Sequence, residues 1–377
     1  MSALLLVAGC VSSPVKHDPN KPLPENWDSD LGHQPRAEPE IPLPSRPQPQ
    51  QTQSTSAPPV FSQPPVTPTA TNIAAPKPPA PLTTAESGMV SLNRWATQNG
   101  LRDLRTIPLS PSPAYAVVTS RGNFAVQVGK LAAFWDGLEV RLGFPPQQIG
   151  DQIFLNALDI KKVLEPLAHG TPLVTRSNRL VVLDPGHGAS NLGTRSTADG
   201  RYEKELTLDW ARRLAPLLER NGWRVLLTRT NDVEMSLAER TAFAEANRAD
   251  LFLSLHFNSS GGISEPAGVE TYCLTPTGMP SSVTRGYTDD VREVYPNNAF
   301  DAANLQYAVR LHRAMLSVSG TADRGVRRAR YQTVLCGQNR PAVLIEAGYL
   351  SNPSEAKRIA NPEYRQKLAE AIAKALP

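Results

Sequence analysis

Short apolar runs and amphipathic stretches alternate along the second half of the chain. The apolar runs have the length of buried strands and lie at residues 180–183, 223–228, 251–255, 268–274 and 342–345. Apolar side chains recur at helical spacing at residues 203–220, 237–247 and 302–316, and a last helix is predicted from Pro362. This alternation predicts an α/β domain at residues 178–377, with a mainly parallel sheet flanked by helices.

Residues 86–175 have a different pattern. Apolar and polar residues alternate at 114–118 and 123–128, which predicts β-hairpins, and stretches at 91–96 and 156–164 predict short helices beside them. The segment is therefore expected to form a small α+β accessory domain. In layout it resembles the copper-amine-oxidase N-terminal-like modules of exported bacterial proteins, which implies a role in binding or positioning and implies no copper.

Proline dominates the N-terminal part of the chain. Of the 36 prolines, 19 precede residue 82, among Gln, Ser, Thr and Ala and with few aromatic residues. Such a composition cannot bury enough apolar surface to offset the entropy of ordering the chain. Residues 11–85 are therefore predicted to be a disordered tether, extended by its proline-rich stretches.

Residues 1–10 contain an apolar run that closes on small residues and Cys10. The run resembles a bacterial lipoprotein signal with its lipobox, which implies that Cys10 carries a lipid that anchors the chain to a membrane. The alternative is an ordinary N-terminal segment, and the absence of Lys or Arg before the run departs from the signal pattern. No other stretch has the roughly 18 continuous apolar residues of a membrane helix, so the rest is expected to be exported.

The net charge bears on the possible partners, and the number of cysteines bears on disulfide formation. The formal net charge of +4 fits attraction to an anionic polymer, and no nucleic-acid-binding motif is present in the sequence. Beyond Cys10, only Cys273 and Cys336 remain, and neither belongs to a CxxC pair. We expect both to be small buried hydrophobic residues, with a single disulfide between them as the alternative.

Three residues suited to metal binding lie at the ends of predicted strands or at the start of a helix. His187 follows the strand at 180–183, His256 ends the strand at 251–255, and Glu203 opens the first helix. The carboxyl ends of parallel strands meet at one edge of a sheet, so these side chains can converge there. Two imidazoles and one carboxylate leave a fourth ligand position open, as in catalytic zinc sites.

Each of these ligands has an alternative interpretation. Either histidine could be a core residue that caps its strand, and Glu205 competes with Glu203 as the carboxylate ligand. Glu203 is favoured because the two side chains point about 200° apart on a helix, and the apolar Leu206 and Leu208 set the inward face.

Glu346 ends the apolar strand at 342–345. A buried carboxylate near zinc can take a proton from the attacking water and return one to the leaving nitrogen, which makes Glu346 the candidate catalytic residue. The alternative is that Glu346 pairs with Arg328 or Arg340 as structural support, because a charge at the end of so apolar a run needs compensation.

The order of the motifs resembles that of the zinc-dependent N-acetylmuramoyl-L-alanine amidases of bacterial cell walls, in their type-3 form. The resemblance covers residues 180–377. It rests on matches in chain order at Leu183 to Gly188, Glu203 to Leu208, Thr228-Arg229 with Asp232, Ser236 to Arg240, Ala249 to Asn258, Gly268 to Tyr272, and Ile345 to Asn352.

The resemblance implies both a site and a reaction. His187, Glu203 and His256 would bind zinc, and Glu346 would serve the hydrolysis of the amide between N-acetylmuramic acid and the L-alanine of the stem peptide. Peptidoglycan would be the partner, and the protein would act at the periplasmic or cell-envelope face. Two alternatives remain: a zinc peptidase that cuts within stem peptides, and a non-catalytic peptidoglycan-binding lipoprotein.

A basic cluster could meet the carboxylates of the stem peptide, although a solvated basic loop explains it equally well. The cluster comprises Arg324, Arg327, Arg328 and Arg330. Within it, Arg327 and Arg328 are predicted to contact substrate, together with Asn258.

The stretch from Thr275 to Asn304 is longer than a direct connection from strand to helix needs. In some members of the family an inserted helix here covers the zinc until a partner displaces it. Asp289, Asp290 and Glu293 are the candidates for such an autoinhibitory insert, and the resemblance does not identify a protein activator.

Overall fold

The computed structural model describes residues 88–170, 173, 179–260, 266–284, 289–331 and 334–376. The predicted tether at 11–85 and Cys10 lie outside these residues, so both stay predictions. Among the helices in this part of the chain, none is long and apolar enough to cross a membrane.

Residues 88–170 form short strands and short helices. The strands are β1 (Met89–Ser91), β2 (Arg105–Ile107), β3 (Ala114–Val118), β4 (Asn123–Gln127), β5 (Ala132–Trp135), β6 (Leu138–Arg141), β7 (Gln147–Ile149) and β8 (Gln152–Asn156). The helices are α1 (Leu92–Gln98), α2 (Ala157–Asp159), a π-helical turn (Ile160–Leu164) and α3 (Glu165–His169). The strands from β2 to β6 pair antiparallel with their neighbours in sequence, as hairpins do.

The second part of the chain alternates strands and helices. Its strands are β9 (Leu180–Pro185), β10 (Arg224–Leu227), β11 (Leu251–Asn258), β12 (Val269–Leu274), β13 (Asp323–Ala329) and β14 (Ala342–Tyr349). Its helices are α4 (Glu203–Arg220), α5 (Leu237–Ala246), a 3-10 turn (Pro296–Phe300), α6 (Asp301–Ser319), α7 (Pro353–Ala360) and α8 (Pro362–Ala375). The predicted positions of α4 and of the start of α8 agree with these bounds.

The second part is organised around four parallel strands in the order β10, β9, β11, β14. This arrangement confirms the predicted α/β class with a mainly parallel sheet flanked by helices. Next to β14, β12 runs antiparallel, and β13 follows the direction of β12. The start of β12 therefore lies at the carboxyl edge of the four parallel strands, and its end lies at the opposite edge.

The sheet continues from the second part of the chain into the first through one pair of residues. Val326 of β13 pairs with Val140 of β6, and β6 is followed in space by β5, β4, β3 and β2. Eleven strands thus form one sheet, while β1, β8 and β7 form a separate sheet of three strands. The small predicted domain and the α/β domain share one sheet, which the alternation pattern did not predict.

The two faces of the sheet are covered by different elements. On one face, which we call the α4 face, Leu183, Leu253 and Ile345 belong to a core that includes residues of α4, α6 and α8. On the other, the α5 face, Val182, Phe252 and Leu344 pack with residues of α5 and with a segment beginning at Tyr331. Burial of such side chains is the main source of stability, at roughly 1.5–3 kcal/mol for each large aliphatic residue. Since side chains alternate along a strand, each residue near the carboxyl edge is assigned to one of these faces.

Candidate metal centre

His187 lies in the loop that follows β9, with a backbone φ of +64°. This left-handed conformation is uncommon for a residue with a side chain and is held by its surroundings. The Nδ1 atom of the ring lies 2.7 Å from the Oδ1 atom of Asn191, an amide oxygen that accepts the ring proton. The interaction leaves Nε2 as the atom of His187 that faces the rest of the site.

Glu203 is the first residue of α4 and is buried between the two histidines. Its Oε2 atom lies 3.0 Å from Nε2 of His187, and its Oε1 atom lies 3.0 Å from Nδ1 of His256. The backbone N–H groups of Thr194 and Phe257 also donate to the carboxylate, at 3.1 and 3.0 Å. The competing Glu205 is exposed, and its side chain accepts from a backbone N–H at the helix start.

The three side chains form a compact cluster. Ligand atoms of His187, Glu203 and His256 all lie within 4.8 Å of one another, and the two rings are 5.0 Å apart and nearly perpendicular. A Cβ atom on Gly186 would lie 2.2 Å from Cε1 of His256, and one on Gly193 would lie 2.7 Å from the ring of His187. These two positions require glycine because any side chain would enter the space of the cluster.

Electrostatics keep the carboxylate charged and favour a neutral imidazole. Burial raises the pKa of Glu203, but the charge of His187 and hydrogen bonds from both histidines outweigh it, so the pKa is lowered. Burial also lowers the pKa of His256, against the opposing influence of Glu203. A carboxylate and a neutral imidazole are the protonation states in which Glu203 and His256 bind metal.

Two buried arginines hold the loop that carries His187. Arg240 of α5 forms an ion pair with Asp184 at 2.6 Å and donates to the carbonyl of His187 at 2.8 Å. Arg229 donates to the carbonyl oxygens of Pro185 and Gly186 at 2.9 and 2.8 Å. Arg240 thereby joins α5 to the loop after β9, and Arg229 joins that loop to the first turn of α4.

Glu346 lies on β14 directly beside His256 of β11 in the parallel register. It is 3% exposed, and register partners share a face, so its carboxylate lies on the α5 face with His256. The alternative pairing with Arg340 does not fit, because that residue precedes β14 at the opposite edge and pairs with Glu245. The pairing with Arg328 fails as well, since its side chain lies on the α4 face.

On the other side of Glu346, the cross-strand partner is Glu270 of β12. Its carboxylate accepts from Arg324 Nε at 2.8 Å, from Asn258 Nδ2 at 2.9 Å and from the Tyr272 hydroxyl at 2.7 Å. Burial raises the pKa of Glu270, but the nearby arginines and these hydrogen bonds lower it overall, to about 2. Glu270 lies in the segment Gly268 to Tyr272, whose resemblance to the amidase motifs does not indicate this role.

Arg327 and Arg328 lie on opposite faces of β13. A shift in the pairing of β12 with β13 coincides with a φ of +90° at Gly325, and this bulge puts Arg324 and Arg327 on the α5 face, where Arg327 lies 3.5 Å from Glu270. Arg328 is buried on the α4 face and donates to Cys273 Sγ at 3.0 Å. The prediction that Arg328 contacts substrate is therefore wrong.

The predicted autoinhibitory residues lie at the wrong edge of the sheet. β12 ends at Leu274, opposite the carboxyl edge, and the segment that follows packs there: Asp289 pairs with Arg330 and accepts from Ser281 N at 2.8 Å. Asp290 pairs with the exposed Arg292, and Glu293 accepts from the Tyr295 hydroxyl at 2.6 Å. The prediction that Asp289, Asp290 and Glu293 cover the cluster is corrected, because the direction of β12 leads the chain away from it.

Cys273 and Cys336 are both free and buried. Cys273 belongs to the core of the α4 face and Cys336 to the core of the α5 face. The sheet separates them, so the expectation of two small buried side chains agrees with the structure and a disulfide between them does not.

Comparisons with known proteins place the second part of the chain in a family. Residues 181–377 match the family model Amidase_3, described as N-acetylmuramoyl-L-alanine amidase. The amidase LytC of Bacillus subtilis (strain 168) is 33% identical over 193 residues, which are 51% of this chain and 34% of LytC. The amidase AmiA of Escherichia coli (strain K12) is 28% identical over 230 residues, which are 54% of this chain and 78% of AmiA.

Solved structures give similar matches. The catalytic domain of the amidase CwlV from Bacillus (Paenibacillus) polymyxa var. colistinus is 29% identical, with a TM-score of 0.44, over 52% of this chain and 96% of that domain. An N-acetylmuramoyl-L-alanine amidase from Clostridium difficile 630 is 31% identical, with a TM-score of 0.44, over 53% and 96%.

The family model covers more than half of the 377 residues, although the chain spans only about a third of the length of LytC. The resemblance read from the ordered motifs is thereby confirmed. The protein belongs to the N-acetylmuramoyl-L-alanine amidase family of the Amidase_3 type.

Proposed function

We propose that the protein is a zinc-dependent amidase that hydrolyses the bond between N-acetylmuramic acid and the L-alanine of peptidoglycan stem peptides. The observation that carries this proposal is the buried cluster of His187, Glu203 and His256 in a chain of the amidase family. Glu346, the direct neighbour of His256 in the sheet, supplies the remaining group that amide hydrolysis needs.

The donor set fits zinc. Two imidazole nitrogens and one carboxylate oxygen are ligands that zinc accepts in catalytic sites, and Asn191 fixes the ring of His187 in the way that such sites orient their histidines. In this proposal His187, Glu203 and His256 hold the ion. When bound, zinc supplies a Lewis acid that lowers the pKa of water and polarises the carbonyl of the substrate.

Glu346 moves the proton in the proposed reaction. Its carboxylate takes a proton from the attacking water, the carbon–nitrogen bond of the amide breaks, and the same proton passes to the leaving nitrogen of L-alanine. The lactyl group of the sugar then ends in a carboxylate, and the stem peptide leaves with a free amine. Burial of Glu346 on the α5 face, beside His256, supports this role.

The remaining assignments are proposals of the same kind. Asn258 and Arg327 lie on the α5 face near Glu346 and are proposed to contact substrate. Residues 178–377 would form the catalytic domain and 86–175 the accessory domain. A lipid on Cys10 and a tether at 11–85 would hold the exported enzyme at a membrane beside peptidoglycan.

The decisive experiment is mass analysis of the products that the purified full-length protein releases from peptidoglycan sacculi. We expect free stem peptides with an exposed L-alanine amine, and we expect their loss with a chelator and in a Glu346→Gln variant that still binds zinc. Glu219→Gln, an exposed change on α4, is the matched control and should keep full activity.

Each other result rejects a specific part of the proposal. Fragments cut within the stem peptide would identify a peptidase. Binding to sacculi without release, in a protein that holds no zinc, would identify a wall-binding protein. Release by Glu346→Gln at the rate of the unmodified protein would show that another group moves the proton.

A further inference from the structure

The α5 face of the sheet extends beyond the catalytic strands into the accessory part of the chain. Glu270 on β12 is followed by Arg324 and Arg327 on β13, and β13 pairs with β6 through Val326 and Val140. Val140 packs in the core of the α4 face. Its neighbours in β6, Glu139 and Arg141, must therefore project from the α5 face, on the side that carries Glu346.

The side chain of Arg141 makes few polar contacts. Its contact with Glu139 is long, at 3.8 Å, and its Nε atom is buried without a hydrogen bond to any other residue that the structure describes. Burial and the nearby charge of Arg327 both lower its pKa. A guanidinium in such a position favours the approach of an anion.

The side chain of Arg327 also makes few hydrogen bonds. Within the described part of the chain, the only hydrogen bond of its side chain runs from Nε to the carbonyl of Arg324, at 2.8 Å. Its side chain is 10% exposed and that of Arg141 is 16% exposed, whereas that of Glu270 is only 1% exposed. The terminal nitrogens of Arg141 and Arg327 thus have hydrogens to donate on this part of the face.

The guanidinium groups on this part of the face are unequally paired. Arg324 makes the closest contact with Glu270, whereas Arg327 lies 3.5 Å from Glu270 and Arg141 lies 3.8 Å from Glu139. Within the described residues, Arg327 and Arg141 therefore have no close ion pair to lose when a carboxylate of the substrate binds. Arginine is also the side chain best suited to bind a carboxylate through two parallel hydrogen bonds.

We propose that Arg141 of the accessory part and Arg327 of the catalytic part together bind the terminal carboxylate of a four-residue stem peptide. The inference rests on the proposed amidase function, because it takes Glu346 as the position where the amide bond between the sugar and the stem peptide is cut. It makes Arg141 a specificity-determining residue that the accessory part contributes to the active site.

The dimensions agree with this placement. Arg141 is three strands away from Glu346 and two residues farther from the carboxyl edge, so their Cα atoms are roughly 16 Å apart at the usual strand spacing and rise, and the long arginine side chain shortens the gap. Four extended peptide residues span roughly 13–14 Å. A stem peptide that crosses the strands from the metal centre would bring its terminal carboxylate to the arginine pair.

The test uses two soluble muramoyl tetrapeptides, one with a free terminal carboxylate and one with a terminal amide, and the zinc-loaded full-length protein. We expect KM to be about tenfold lower for the carboxylate than for the amide, the magnitude of one charge-assisted pair, with similar kcat. In Arg141→Gln this preference should disappear, and Arg141→Lys should restore part of it. Arg94→Gln, which removes an exposed arginine of α1, should keep the preference.

Binding of the two free tetrapeptides by calorimetry separates this inference from the proposed reaction. Tighter binding of the carboxylate form that depends on Arg141 would support the site even if no amide were cut. Equal binding and equal KM for the two forms would overturn the inference, and so would a preference that survives in Arg141→Gln.

Discussion

Gly186 controls how closely the loop after β9 approaches His256. Its backbone N–H donates to the carbonyl of Leu255 at 3.0 Å, and the imidazole of His256 fills the space where a side chain would begin. Unlike most glycines of the chain, Gly186 has an ordinary negative φ, so its requirement is one of space and not of backbone conformation.

We therefore predict that Gly186→Ala displaces the ring of His256 and lowers zinc affinity by at least about tenfold, with a matching loss of activity. Zinc titration with a competing chelator measures the effect. Gly222→Ala is the control, because it replaces a glycine with open space around it at a φ of +80° and should cost only about 1 kcal/mol of folding free energy. Unchanged zinc affinity in Gly186→Ala would contradict the prediction.

For single residues of the site, the sequence is most informative where a residue ends a buried strand. His256 and Glu346 follow apolar runs, so their convergence at one edge follows from the parallel arrangement alone. Arg327 and Arg328 could not be separated in this way, because the bulge at Gly325 changes which of the two lies on the α5 face. The role of Asn191 depends on a loop conformation that has no periodic signal.

Among the elements, β12 and β13 depend on one buried ion pair. Glu270 joins them through Arg324, while Asn258 brings in β11. Because the pKa of Glu270 is depressed to about 2, its charge contributes stability above its usual pKa of 4.5, and that contribution is lost as the pH falls toward 2.

We predict that Glu270→Gln lowers the free energy of unfolding at pH 7 by about 3 kcal/mol, since it leaves two buried arginines without their shared carboxylate. The difference in free energy of unfolding between the variant and the unmodified protein should fall to less than half of its pH 7 value by pH 3. At that pH the charge of Glu270 contributes less stability. Urea denaturation at both pH values measures it. An equal difference at pH 7 and pH 3 would argue against the charge as the cause, and Glu219→Gln should show no difference at either.

The positions of elements are predictable where the pattern is long, as in α4, whose apolar stripe runs from Leu206 to Leu218. Strand direction was not predictable from the pattern. The alternation in β12 is the same whether the strand runs parallel or antiparallel to β14. The family resemblance predicts that the segment after Leu274 covers the metal centre, whereas the direction of β12 places it at the opposite edge.

In the whole molecule, the accessory part covers the edge of the catalytic sheet. β6 shields β13, and polar contacts such as Glu139 N to Asp323 at 2.9 Å, Lys162 to Asp301 at 2.8 Å and Gln306 to the carbonyl of Pro166 at 2.6 Å extend the interface. The pattern of apolar and polar residues predicted two folded parts, but pairing between β6 and β13, nearly two hundred residues apart, has no local signature.

We predict that a chain of residues 179–377 has a melting temperature several degrees lower than the full chain and self-associates, because β13 becomes an exposed edge strand. Calorimetry and light scattering measure the two effects. A chain that begins at residue 88 is the control and should match the full protein in both. A monomeric 179–377 fragment with the unmodified melting temperature would contradict this account of the shared sheet.

The position of β1 has a mechanical consequence. If a lipid anchors Cys10 in a membrane while the catalytic part binds peptidoglycan, a pulling force would enter the described part of the fold at Met89, the first residue of β1. β1 is at the outer edge of its sheet and is joined to β8 by only three residue pairs. Under load, β1 would be the first strand to detach, because it is the strand nearest to the anchor along the chain, while the strands that carry the metal ligands would keep their pairing.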